Sequence, residues 1–67
     1  MNQVNIHLAP DGIYFARDAE TGEGLGSFYR HETHKHWWHV VMPSGLEFQM
    51  YGPDGPEDVA DRMVRRQ

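Results

Sequence analysis

The sequence predicts an α+β fold: an antiparallel β-meander of four to five strands with one C-terminal α-helix packed on one face. Three observations predict it. A turn recipe of proline, a small polar residue and glycine occurs at Ala9-Pro10-Asp11-Gly12, Met42-Pro43-Ser44-Gly45 and Gly52-Pro53-Asp54-Gly55. Proline presets φ at the second turn position, and glycine takes the position that often needs φ > 0. Around the first two turns apolar and polar residues alternate with period two, and after the third the apolar residues recur at helical spacing. The segments flanking the turns differ from one another, so these are three uses of one turn chemistry and not an internal repeat.

Strands are expected over residues 3–8, 13–17, 25–30, 36–42 and 46–51. Val4, Ile6 and Leu8 alternate with Asn5 and His7, the pattern of a half-buried strand. Ile13 to Arg17 is rich in aromatic and β-branched types, which favour a pleated surface. A two-residue loop would pair Leu8 with Ile13 and Ile6 with Phe15, and a bulged loop would shift that register by one. Asp18 to Gly24, with three acids and two glycines, reads as an exposed loop. Leu25 to Arg30 follows as a strand whose patterning Gly26 and Ser27 dilute. The clearest hairpin joins His36–Met42 to Leu46–Tyr51. If Pro43-Ser44-Gly45 pairs Met42 with Leu46, then Val40 faces Phe48 and Trp38 faces Met50 on one side. Trp37–Tyr51, His39–Gln49 and Val41–Glu47 then share the other side, so one register sorts both strands.

A helix is expected over residues 56–66. Pro56 suits its first position. Glu57, Asp58 and Asp61 come early and Arg62, Arg65 and Arg66 late, an order that complements the helix dipole and offers i,i+4 pairs. Val59, Ala60, Met63 and Val64 form a narrow apolar stripe. A helix of this length is marginal alone, so the stripe must lie on the sheet face that carries Trp38, Val40, Met42, Leu46, Phe48 and Met50.

Sixty-seven residues make one domain, residues 1–67, in a size range where roughly 60% of the unfolded chain's surface is buried. There is no cysteine, which excludes disulfide staples and thiolate zinc sites and fits a reducing cytosol. The opening Met-Asn-Gln-Val-Asn has no basic n-region and no apolar run follows, so the expectation is a cytoplasmic protein without signal peptide or membrane span. A formal net charge of −4 argues against a general nucleic-acid binder. The charge is segregated: acids dominate from Asp11 to Glu23 and from Glu47 to Asp61, while Arg30 and Lys35 sit among histidines.

Functional interest concentrates in residues 31–39, His-Glu-Thr-His-Lys-His-Trp-Trp-His, which hold four of the five histidines and both tryptophans. With a single helix only one sheet face can be covered. The other would present Trp37, His39, Val41, Gln49 and Tyr51, with Tyr14 or Phe15 and Tyr29 or Phe28 beside them. Of these, Trp37, His39, Gln49, Tyr51, Tyr29 and Tyr14 are the candidate partner-binding residues. Several aromatics on an uncovered face mark an interface; in the alternative, the sheet curls and the rings complete a second small core.

The histidines admit a metal reading. In a strand, His34 and His36 project to one side with the spacing of two zinc or nickel ligands, and a third could come from His31, His39 or Glu32. No His-Glu-x-x-His or comparable signature accompanies them, and polar residues in an exposed turn between the third and fourth strands account for them more economically. No cofactor is required. Catalysis is not expected: only Ser27 and Ser44 are serines, no nucleophile is paired with a base, and Thr21-Gly22-Glu23-Gly24-Leu25-Gly26 carries acids that would repel phosphate. The sequence thus reads as a non-catalytic protein-binding module, a small regulator or inhibitor that docks or forms a homo-oligomer through its aromatic face. A nucleic-acid-binding sheet, stacking bases on Trp37, Tyr51 and Tyr29 with Arg17, Arg30 and Lys35 on phosphate, is the alternative.

Overall fold

A computed structural model describes residues 4–65. Five strands, β1 (Val4–Leu8), β2 (Tyr14–Asp18), β3 (Gly24–Arg30), β4 (Trp37–Val41) and β5 (Glu47–Tyr51), precede one helix, α1 (Pro56–Arg65). The strands form one open sheet in the order β1-β2-β3-β4-β5, each antiparallel to its neighbour, with the helix on one face. The α+β meander read from the sequence is therefore the fold. Element ends differ from expectation by a residue or so, and the expected first residue of β1 (Gln3) and last of α1 (Arg66) lie outside the described residues. No helix among the described residues is long and apolar enough to cross a membrane.

Turn chemistry explains both hairpin registers. In the β4–β5 turn, Met42 N–H donates to Leu46 O at 2.8 Å and Gly45 N–H to Met42 O at 2.9 Å, closing a loop of Pro43, Ser44 and Gly45. In the β1–β2 turn, Ala9 N–H donates to Ile13 O at 2.9 Å and Gly12 N–H to Ala9 O at 3.0 Å, closing a loop of Pro10, Asp11 and Gly12. Gly12 and Gly45 sit at φ 91° and 93°, the left-handed residue that lets a three-residue loop rejoin the ladder. In each, the small polar side chain accepts the N–H two residues on: Asp11 from Ile13 at 3.2 Å and Ser44 from Leu46 at 3.4 Å. The same recipe makes the same loop.

Every expected β4–β5 pair is present, including Trp38 with Met50 and Trp37 with Tyr51. The first hairpin follows the shifted register: Leu8 pairs with Tyr14 and Ile6 with Ala16. Pairing continues from Tyr14 to Phe28 and from Phe28 to Val40, so these side chains share the face under the helix. The core consists of Ala16, Phe28, Trp38, Val40, Met42 and Met50 from the sheet side with Val59, Ala60 and Met63 from α1, and it contains no polar or charged residue. Tyr14 stacks on Phe28 at 5.2 Å between ring centroids, and both meet the Trp38 indole edge-on.

Two glycines let the helix approach this closely. A Cβ on Gly26, which pairs with Ala16 in mid-sheet, would stand 2.5 Å from Met63 Cε and 2.8 Å from Val41 O. A Cβ on Gly52 would stand 2.5 Å from Val59 Cγ2 and 3.1 Å from the Trp38 ring. Gly26, which only weakens the strand pattern when read along the chain, is the place where the helix is seated. At its start, α1 uses the third turn: Gly55 O accepts the first helical bond from Val59 N–H at 3.2 Å, and Pro56 takes the first helical position. The pairs Asp58–Arg62 and Asp61–Arg65 close at 3.1 and 3.0 Å. Arg62 also donates to Tyr51 O, tying the helix to the β5 edge.

Truncating Trp38 to alanine removes the largest buried side chain, and the expected loss of about 3–5 kcal/mol is a large share of a small domain's stability. Trp37→Ala should cost far less, and the half-buried Phe48 should fall between them. Gly26→Ala and Gly52→Ala should each cost about 1–3 kcal/mol through overpacking. Urea titrations of the monomeric protein rank all five; equal losses for Trp37→Ala and Trp38→Ala would refute this assignment of faces.

Candidate functional site

The alternation that buries Trp38 and Val40 sends Trp37, His39 and Val41 to the opposite face, which the helix does not cover. The register assembles a continuous surface there. His7, Phe15, Ser27, Val41 and Glu47 form one row across all five strands. Tyr29, His39 and Gln49 form the next, and Trp37 with Tyr51 a third. Phe15, Tyr29, Trp37 and Tyr51 are 39%, 38%, 38% and 50% exposed. All buried apolar residues belong to the single core under the helix, so among the described residues these rings complete no second core.

Five of the six residues expected on this face are there: Trp37, His39, Gln49, Tyr51 and Tyr29. Tyr14 is not. The three-residue loop shifts β2 by one position and turns Tyr14 into the core, where it lies on Phe28, and Phe15 takes its place on the open face. The signal that would have found Phe15 was the likeness of the first two turns. Arg30, expected beside the open aromatics, also belongs to the helix side, with its guanidinium carbon 4.9 Å from the centroid of the Trp38 ring.

Ring contacts organise the face. Trp37 and Tyr51 lie 5.5 Å apart in a tilted arrangement, and the Tyr29 and His39 centroids are 5.0 Å apart. His39 Nε2 meets Glu47 Oε1 at 2.8 Å, so a hydrogen-bonded pair joins the Tyr29 row to the charged end of β5. Pairing preorients the rings and lowers the ordering entropy of an association, which is one way aromatic anchors gain binding energy.

The histidine segment is a turn, not a strand, and this changes what it can do. His31 N–H donates to Trp37 O at 2.9 Å and Trp37 N–H to His34 O at 3.2 Å, closing the β3–β4 connection. Inside it, His31 Nδ1 accepts the N–H groups of Thr33 and His34, both at 3.2 Å. The imidazole acts as an Asn or Asp side chain would in such a turn, and in its neutral form the ring proton must sit on Nε2. The Thr33 hydroxyl lies 3.3 Å from the same nitrogen. Two amide donors already share that lone pair.

The pairing of His34 with His36 as metal ligands requires a strand there and so is not realised. His34 instead approaches His31, with ring centroids 4.8 Å apart. His36 takes the left-handed conformation at φ 69°, accepts Gly52 N–H on its carbonyl at 2.7 Å and sets its ring edge-on to Tyr51. No group of three His, Cys, Asp or Glu side chains among the described residues is arranged to hold a metal ion.

Compared with known proteins, the chain matches no family model, and neither a curated protein nor a solved structure matches it.

The open face carries a concavity of about 230 Å³ lined by Tyr29, His31, Glu32, Thr33, His39 and Gln49, and a second of about 340 Å³ wraps the β5 edge, with Trp37, Gln49 and Tyr51 from the open face and Phe48, Met50 and Arg62 from the helix side. Replacing the turn-capping ring should be informative. His31→Ala should lower stability by about 1 kcal/mol, and His31→Asn should recover most of it because the amide oxygen can accept the same N–H groups. Millimolar zinc should leave the thermal midpoint of the wild-type protein unchanged; a rise of several degrees that His34→Ala abolishes would restore the metal reading.

Proposed function

We propose that this chain is a small non-catalytic protein-binding module that docks on another protein through its open sheet face, in the manner of a regulator or inhibitor. The observation that carries this reading is the set of four large rings, Phe15, Tyr29, Trp37 and Tyr51, each 38–50% exposed on one uncovered face. A contiguous aromatic surface of this kind is unusual on a small monomer, and Trp and Tyr dominate the energetic centres of protein interfaces. The charged strand residues of the face, Arg17 and Glu47, stand near its sides, which suits an apolar centre with a polar rim.

Two further features favour a protein over a nucleic acid as the occupant. Base-stacking platforms ring their aromatics with cations that follow the phosphates. Here Arg30 lies over Trp38 on the far side, and the acids Glu32 and Glu47 adjoin Tyr29 and His39. The concavity lined by Tyr29, His39 and Gln49 is open to solvent, a shape better matched to a protein surface than to an enclosed small molecule.

Trp37→Ala and Tyr51→Ala should each weaken a purified protein partner by about 2 kcal/mol or more, as read by calorimetry, with the fold intact by circular dichroism. Oligonucleotides, single-stranded or duplex, should bind no more tightly than the non-specific range of roughly 10⁻⁴–10⁻⁶ M at physiological salt. Submicromolar, salt-sensitive oligonucleotide binding that Trp37→Ala removes would replace this reading with nucleic-acid recognition.

A further inference from the structure

We infer that the partner this face fits is a second copy of the same chain, in a two-fold dimer whose axis runs parallel to the strands and passes over β3. This inference rests on reading the open face as a protein-docking surface and names its occupant. Sheets that pack face to face keep their strands within about 30° of alignment. A two-fold axis between two such faces can run either along the strands or across them.

The two choices bring different residues together. An axis across the strands lays β1 on β1 and β5 on β5, so the edge bearing Glu47 meets its own copy, as does the side bearing His7 and Arg17. An axis along the strands lays β1 over β5 of the other copy. The central row, His7-Phe15-Ser27-Val41-Glu47, is then its own complement. Phe15 faces Val41 of the partner subunit, the small Ser27 faces its own copy at the axis, and His7 faces Glu47 of the partner subunit. Arg17 stands two positions along from Phe15, on the same side of the face as His7. With β2 over β4 of the partner subunit, Arg17 lies one strand and two residues from Glu47 of the partner subunit, about 8 Å in the plane of the sheets, a gap within reach of the two long side chains.

Charge therefore selects the axis. Among the strand residues of the face, the permanent cation is Arg17 on β2 and the carboxylate is Glu47 on β5, and only the axis along the strands brings opposite signs together at both ends. Glu47 is suited to the second contact. Its side chain is 60% exposed although one oxygen already meets His39, and a carboxylate accepts several hydrogen bonds. Size sets the strength of the contact. Five strands spaced about 4.8 Å apart and about 17 Å long present on the order of 400 Å² of projected area per copy. Two such faces amount to about 800 Å² of projected area, below the roughly 1,200 Å² at which stable specific interfaces begin, which points to a weak, reversible dimer.

Sedimentation equilibrium and light scattering from about 1 µM to 1 mM, a range that brackets millimolar to micromolar dissociation constants, test the proposal. The wild-type chain should pass from monomer to dimer. Tyr29→Glu, beside the axis, should abolish the dimer, and Glu47→Lys or Arg17→Glu alone should weaken it at least about tenfold. Mixing the Glu47→Lys and Arg17→Glu chains should restore association, because each then meets an opposite charge at both ends; this rescue also shows that both variants are folded. A dimer lost in Tyr29→Glu but indifferent to the charge variants and to their mixing would overturn the axis. A chain monomeric throughout would overturn the dimer and leave the docking face to be judged on another protein. A dimer that survives both Tyr29→Glu and Trp37→Ala would place the contact elsewhere, overturning this face as its seam and leaving the docking face to be judged on another protein.

Discussion

Burial of the Trp38 indole between sheet and helix orients nearly every other side chain of the sheet. Its ring meets Phe28 and Tyr14 edge-on, and its Nε1–H donates to Gly52 O at 2.8 Å inside the core. In this place the ring is removed from water and its one donor is satisfied. Once Trp38 points inward, strand alternation forces Trp37 outward, and antiparallel pairing transmits that parity to Tyr51, Gln49, Tyr29 and Phe15. The same indole holds the Gly52 segment in place, and so sets where the chain leaves β5 to begin the helix.

One helix and five strands leave a geometric imbalance. The apolar stripe of α1 is narrow, and it approaches the sheet closely because Gly26, the cross-strand neighbour of Ala16, lies beneath Met63. Nothing among the described residues covers the other face. Leaving four rings half exposed forgoes stabilisation that an association can recover. Core and open face are thus two consequences of the same alternation, one giving the monomer its stability and the other a surface.

The histidine-rich segment plays a quieter part than its density suggests. His31 serves as a turn cap, His36 supplies a left-handed residue that joins β4 to the chain after β5, and His39 links Tyr29 to Glu47. Each imidazole acts as a hydrogen-bonding or packing group in its own place. His31 and His34 do approach one another, but among the described residues no third His, Cys, Asp or Glu is arranged with them to hold a metal ion.

Much of the fold was determined by the sequence itself. The period-two alternation, the three Pro-polar-Gly turns and the charge order of α1 are local signals, each decided by residues within a few positions, and they specified the strands, the helix and the β4–β5 register. Placing Trp37, His39, Gln49 and Tyr51 on one face followed from that hairpin alone. Tertiary structure decided what depends on residues far apart. Loop closure chose Phe15 over Tyr14 for the open face, since a shift of one residue inverts a whole strand. The seat of Met63 gave Gly26 its purpose, and the register that pairs Arg30 with Trp38 put Arg30 on the helix side. The bonds inside the β3–β4 turn settled the fate of His31, His34 and His36, because hydrogen-bond direction in a turn cannot be read from spacing along the chain.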